Sequence, residues 1–451
     1  MKLAVIGGGG FRAPHMLEAI ASLASRGVSV DDVVFHDLAP DRLELMGRVL
    51  RALRRERGWD VDFRLSTSLE DAVEGADYVF AAIRVGGAEA RATDEAIALG
   101  EDSVGQETTG PAGIAYALRT IPVMSAVAEA VAGRAAPHAR LLNFTNPAGL
   151  ITQALVEILG DRVIGICDGP PDLYLRVARA LDADSEDLWF DYFGLNHLGW
   201  LRRVVGPAGD ELPGLLADDA ALGTLDEAEA FGSELLRTLG MIPMEYLVYY
   251  YRHSEVVEGL RRTGATRGSF LAEQQARFYA AETAGDDDAL AVWRGAAAER
   301  EETYGMDVRS AVGGPPTRTL ETGGTGGYAG VAADVVALLE GGGPGYATLN
   351  VRNRGALPFL AADDVVEVPC LVTRSGAQPV AVGDVPLHAR ALIETVKSVE
   401  RTTVEAARTG SAALAVWALA QHPLVASYGA AERLFAAYRS AHPTLAATFG
   451  G

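Results

Sequence analysis

The chain has 451 residues, 49% of them hydrophobic, which is enough to bury a large core and to build two closely packed domains. Thirty-nine basic residues against 60 acidic ones leave a formal net charge of −21, which repels nucleic acid and anionic membrane surfaces. Two cysteines, Cys167 and Cys370, exclude a disulfide framework, so the cytoplasm is the expected compartment.

Lys2 to Ile6 reads as a short apolar strand, followed by Gly7-Gly8-Gly9-Gly10-Phe11-Arg12 and a helical pattern through Met16, Leu17, Ile20 and Leu23. A strand, glycine turn and helix in this order hold a dinucleotide pyrophosphate against backbone N–H groups at the helix start. Arg12 stands where the third glycine of that pattern belongs. Val33 to Asp37 predicts a second strand ending in a carboxylate, placed to accept hydrogen bonds from the adenosine ribose, which favours NAD over NADP. The same Asp37 could instead cap the helix expected over about 40–56.

Strands are expected near 62–66, 77–83 and 141–145, with a long helix near 113–133 and Asn146-Pro147 closing the last strand. The Ala-rich stretches are interrupted by charge before they reach ~18 apolar residues, so no membrane span is expected. After Ile83, Arg84 to Arg91 reads as a glycine-containing binding loop, and Gly105 to Pro111 as a second one. Arg91 is a candidate for gripping an anion, or a surface ion-pair partner of Glu89 or Asp94.

Ile164 to Pro170 and Gly194 to Trp200 each end an apolar run in a polar, glycine-containing turn. An open α/β sheet presents its ligand-binding side chains at such strand ends. Cys167 and His197 form a soft ligand pair suited to Zn, Mn or Fe, and two protein ligands leave positions for substrate oxygens and water. Asp168 lies beside the thiol. A lone buried Cys or His is more often a core thiol or a satisfied imidazole, so the neighbouring motifs decide.

Farther on, Met241 to Tyr251 is rich in tyrosine, about 268–303 is helix-like, and Arg261, Arg262 and Arg267 form a basic group able to offset the general repulsion of an anionic ligand. Tyr346 to Asn350 and Val365 to Val372 are expected as strands of a smaller sheet, and 388–442 as a helical, Ala-rich packing or oligomer surface. The expected architecture is α/β: a Rossmann-like, doubly wound NAD-binding domain of the lactate/malate dehydrogenase type over 1–195, then a mixed α+β domain for substrate and oligomerisation over 196–451.

Taken together, the glycine turn, Arg84 to Arg91, Gly105 to Pro111, Asn143 to Pro147, Cys167 to Pro170, Gly194 to Trp200, Tyr246 to Tyr251 and Val365 to Cys370 resemble glycoside hydrolase family 4 along nearly the whole chain. Its 6-phospho-β-glucosidase branch is the most similar. The resemblance implies a redox route in place of the two-carboxylate scheme: oxidation at the sugar C3, loss of the C2 proton, elimination of the aglycone, water addition and return of the hydride. It implies NAD and a divalent metal, Mn foremost, as cofactors, and a homodimer or homotetramer.

Carried over residue by residue, the resemblance makes Cys167 and His197 the metal ligands, Asp168 the general acid and Tyr246 the base, with Tyr249 and Tyr250 as competitors for that role. It places Gly7, Gly8, Gly9, Gly10, Phe11, Arg12 and Asp37 on NAD, Asn146 on the sugar, and Arg91 and Arg267 on a 6-phosphate. Two departures stand out. Phe11-Arg12-Ala13-Pro14 replaces the family's usual sequence after the glycines, and the Asp after Cys167 is similar to the α-acting members. Anomeric preference, aglycone and the C6 substituent therefore stay open, as do two alternatives: a lactate- or malate-type dehydrogenase and a non-catalytic NAD-binding regulator.

Overall fold

Leu3, Ala4, Val5 and Ile6 are all buried, so β1 (Lys2–Ile6) has core on both faces, as a central strand of a covered parallel sheet requires. The computed structural model, which describes residues 1–264, 266–303 and 327–450, places this strand inside a nine-stranded sheet, third from one edge. Around it lie β2 (Asp32–His36), β3 (Arg64–Ser66), β4 (Tyr78–Ala81), β5 (Arg140–Asn143) and β6 (Val163–Gly165), all parallel. Their order, β3-β2-β1-β4-β5-β6, is that of a dinucleotide-binding doubly wound fold.

A second, antiparallel sheet joins β7 (Trp189–Leu195), β8 (Leu198–Gly206), β9 (Gly209–Asp210) and β10 (Ile242–Pro243). The strands of the last third do not form a sheet of their own, which corrects the sequence-based expectation. β11 (Gly345–Arg352) pairs antiparallel with β6 through Asn350 and Gly165, and β12 (Val365–Thr373) and β13 (Gly376–Pro379) continue the main sheet outward. A Cβ on Gly165 would lie 2.7 Å from Cβ of Asn350, so the glycine permits the approach that docks β11.

Helices cover both faces. Helices 13–22, 40–57 and 169–180 pack on one side with Val5, Phe35 and Ile164; helices 110–134 and 148–159 pack on the other with Ala4, Val34 and Leu141. Helix 40–57 begins at Pro40 and stops at Gly58, whose φ of 65° is the left-handed conformation that ends helices. Helix 110–134 is long and apolar enough by length and composition alone to cross a bilayer, but 67% of its apolar window is buried, as in a core helix. Residues 87–91, expected in a loop, open a helix over 87–100. The helical run expected over 268–303 is two helices, 267–279 and 286–302.

Candidate active site

The carboxyl ends of the parallel strands carry the glycine turn, Asp37, Asn146, Cys167 and Asp168, while His197, Tyr246, Arg91 and Arg267 come from other elements. Beyond β1, the N–H groups of Gly7 and Gly8 both donate to the His36 carbonyl, at 2.9 and 2.7 Å, folding the glycine turn against β2. A Cβ on Gly8 would lie 2.7 Å from Cβ of Phe35, so no larger residue fits there. Asp37 does not cap helix 40–57, whose N-cap is Ala39 without a side-chain hydrogen bond; its carboxylate accepts from Gly9 N–H at 3.1 Å and from Ala39 N–H at 3.0 Å, bracing the turn. From outside, Tyr279 donates to the Gly9 carbonyl at 2.9 Å and Trp293 to that of Phe11 at 3.0 Å.

Cys167 follows β6 by two residues and is buried with a free thiol. Burial, with the charges of Glu367 and Asp168 adding to it, pushes that thiol well above its ordinary range. His197 sits in the hairpin turn between β7 and β8 at φ 61°, a left-handed conformation uncommon for a non-glycine residue. Its ring lies flat on that of Tyr246, with centroids 3.8 Å apart and planes 6° from parallel, and its Nδ1 meets the Thr108 hydroxyl at 2.7 Å. Burial lowers the imidazole to about 4, against the pull of Glu107, so it is neutral at pH 7 and able to ligate.

The other tyrosines point elsewhere. Tyr250 faces His422, 3.5 Å from its Nε2, Tyr251 accepts from Trp200 at 3.0 Å, and Tyr249 is buried 6.3 Å from the Tyr246 ring. Asp168 is the residue before helix 169–180, and burial raises its carboxyl to about 6, opposed by Arg12 and aided by Asp172 and Glu245. Asn146 precedes Pro147 across a cis peptide, and its buried Oδ1 has no hydrogen-bond partner. A buried amide oxygen of this kind fits a sugar hydroxyl.

Arg91 lies on helix 87–100, not in a loop, and its ion pairs are not with Glu89 or Asp94. Its Nε holds Glu95 at 2.7 Å and its Nη1 holds Glu107 at 2.9 Å. Glu107 also pairs with Arg84, and although burial opposes ionisation, the two guanidinium charges hold its carboxyl at about 2. Arg267 donates to the carbonyls of Arg300 and Thr303 at 2.8 and 3.0 Å, tying down the end of helix 286–302. Arg261 pairs with Asp102 instead.

Arg300, which no sequence signal marked, is pushed down to about 9 by burial and by the charges of Arg12, Arg267, Arg84 and Arg91. Five arginines thus lie close enough to act on one another in a chain of net charge −21, although Arg84 and Arg91 are paired with Glu107 and Glu95.

Glu367 was also missed as a site residue, although a carboxylate inside the apolar run Val365 to Cys370 was a visible signal. It accepts from Asn196 at 3.0 Å, Asn350 at 2.9 Å and Tyr192 at 2.9 Å, and burial still lifts it to about 7. Asn196 in turn braces Cys167 and accepts from Gly149 N–H at 3.3 Å. Among the described residues no group of three or more His, Cys, Asp or Glu is gathered as a metal cluster. A buried thiol and a neutral imidazole fit a divalent ion that keeps open positions.

The sequence profile described as "Family 4 glycosyl hydrolase" matches residues 2–183, and that of the "Family 4 glycosyl hydrolase C-terminal domain" matches 192–425. The chain is similar to a Bacillus subtilis (strain 168) protein named "Probable 6-phospho-beta-glucosidase", 30% identical over 98% of this chain and 96% of that one. It is likewise 30% identical to 6-phospho-alpha-glucosidase 1 of Lacticaseibacillus paracasei, over 82% of this chain and 81% of that one.

Its fold superposes, with a TM-score of 0.81, on the Thermotoga maritima 6-phospho-beta glucosidase solved with manganese, NAD+ and glucose-6-phosphate, 27% identical and covered to 98% in both chains. With profiles matched over both halves and the dinucleotide fold in place, the chain belongs to glycosyl hydrolase family 4.

Proposed function

We propose that this enzyme hydrolyses 6-phosphoglucosides, the β-anomers first, with NAD and a divalent metal, Mn foremost, as cofactors. The observation that carries the reading is the flat stack of Tyr246 on His197, because it joins a phenol to an imidazole able to ligate a metal, while Asn196, next to His197 in the chain, hydrogen-bonds the buried Cys167 thiol. When bound, NAD supplies a reversible store for a hydride and the metal supplies a Lewis acid. Cys167 and His197 would hold the metal; Gly7 to Arg12 and Asp37 would hold NAD.

The remaining work falls to side chains of the chain itself. Asn146 and the arginine group orient the sugar, with Arg91, fixed by Glu95 and Glu107, and Arg267 holding the 6-phosphate. Tyr246 takes the C2 proton. Asp168, with its carboxyl raised to about 6, gives a proton to the leaving oxygen. In this reading residues 1–195 serve the cofactor and 196–451 the substrate.

A second reading, 6-phospho-α-glucosidase, is favoured by the Asp after Cys167 and by the Lacticaseibacillus paracasei relative. We place the protein in the cytoplasm as a homodimer or homotetramer. Leu387, Trp417 and Tyr428, between 51% and 78% exposed, are large apolar side chains that such contacts would cover.

The test supplies NAD, Mn and chromogenic 6-phospho-α- and β-glucosides deuterated at C2. Expected are aglycone release, loss of the label to solvent and no NADH growing in step with product. Retention of the deuterium would sink the elimination route, and stoichiometric NADH would mark a dehydrogenase.

A further inference from the structure

The loop before helix 110–134 contains one amide oxygen that does the work of three acceptors. Gln106, 8% exposed, turns its Oε1 to the N–H of Thr108 at 2.6 Å and the N–H of Thr109 at 2.8 Å. Two backbone donors fix which end of the amide faces them, because the NH₂ end would oppose donor to donor. The same oxygen lies 2.9 Å from the Thr108 hydroxyl, which must therefore donate its only proton to Gln106. That hydroxyl can then only accept from His197 Nδ1, at 2.7 Å.

The loop has no room to relax. A Cβ on Gly113 would lie 2.6 Å from the carbonyl carbon of Thr108, so helix 110–134 presses directly on its backbone. A Cβ on Gly105 would lie 2.7 Å from the Glu95 carbonyl oxygen, which closes the other side. The Tyr246 stack fixes the plane of the imidazole, and the Thr108 bond then fixes its rotation within that plane.

We propose that Gln106 and Thr108 are positioning residues that lock His197 as the Nδ1–H tautomer and so reserve the lone pair of Nε2 for the metal. The proposal deepens the metal reading of Cys167 and His197 and rests on it for its binding arm only. Its tautomer arm concerns the metal-free protein.

The tautomer is read by a long-range 1H–15N correlation on metal-free enzyme labelled at its 8 histidines, with His197 assigned by its loss in His197→Gln. At about pH 8, where an ordinary imidazole is neutral, the wild type should show Nδ1–H. Thr108→Val should shift His197 toward Nε2–H, and Thr108→Ser should restore the wild-type pattern. Gln106→Leu should do the same as Thr108→Val, by freeing the hydroxyl to donate; it serves if the valine variant does not fold. Manganese affinity of the NAD-loaded protein, followed by electron paramagnetic resonance, should weaken ~10–100-fold in Thr108→Val and Gln106→Leu, with NAD affinity unchanged, and return in Thr108→Ser.

Nε2–H in the wild type, or Thr108→Val with both the Nδ1–H pattern and wild-type manganese affinity, overturns the proposal. Manganese binding that His197→Gln leaves unchanged overturns the metal reading instead, and the tautomer pattern still decides the relay.

Discussion

Tyr246 and Tyr250 carry the same phenol in opposite surroundings. Tyr250 is partly buried against His422 and desolvation holds its hydroxyl well above its ordinary range, whereas Tyr246 lies on the imidazole of His197. A base must reach the proton it removes, and position decides between them before acidity does. Tyr246→Phe should therefore lower kcat ~10²–10⁴-fold while KM and manganese affinity stay near wild type, because the ring and its stack remain. Steady-state kinetics beside a metal titration measures this. An undiminished rate, with C2 label still lost to solvent, would move the base to Tyr249 or Tyr250.

At the level of elements, the glycine turn is a joint between β1 and β2 and not a free loop. Gly8→Ala would drive a methyl against Phe35 at 2.7 Å and the backbone nitrogen of His36 at 3.0 Å, so β2 must move away or the turn must open. A loss of ~1–3 kcal/mol in stability is expected, as for other overpacked sites. Saturating NAD should raise Tm of the wild type and leave that of the variant almost unchanged, which a thermal melt with and without cofactor records. A variant that gains as much from NAD as the wild type would remove the turn from the cofactor site.

This joint was legible in the sequence because its signals are local: four glycines after an apolar strand, and an acid at the end of the next. The turn that offers His197 was legible for the same reason, but its setting was not: it joins two antiparallel strands of the second sheet and is not a strand end of the parallel one. Membership of β11 and β12 in the main sheet was not, because a short apolar strand does not specify its neighbour, and here the neighbour is chosen by a glycine some 180 residues earlier. Arg300 was hidden similarly, since only packing brings it beside the other arginines, whereas Glu367 showed its carboxylate inside an apolar run but not the Asn196 that packing sets against it. Arg91 was found, but its partners Glu95 and Glu107 follow from a helix where a loop was expected.

Across the whole molecule, the buried groups act on the pH dependence of stability in both directions: Glu367 and Asp168, raised to about 7 and about 6, favour the folded state as pH falls, whereas His422 and Glu107 favour it as pH rises. His422 is held at about 3 by burial, with His253 adding to it, against an ordinary 6.5, so the unfolded chain takes up a proton that the folded one refuses. Its contribution is complete above 6.5 and drains away as pH falls toward 3. Glu107 contributes above 4.5 and loses its effect between 4.5 and about 2. His422 and Glu107 should each therefore subtract from the unfolding free energy as pH drops through its own window, with a slope approaching ~1.4 kcal/mol per pH unit for each such group. Urea titrations at several pH values measure the slope. His422→Gln should flatten it between 6.5 and 4.5, and an unchanged slope would contradict the assignment of His422.

The shared sheet also has a consequence for synthesis. Until residue 352 has left the ribosome, β6 lacks the strand that covers its outer side, so a nascent cofactor half carries an open row of backbone donors and acceptors ready to pair with another chain. Premature termination anywhere between β6 and β11 thus yields a sticky fragment and not a smaller enzyme, and the cell must shield or destroy it.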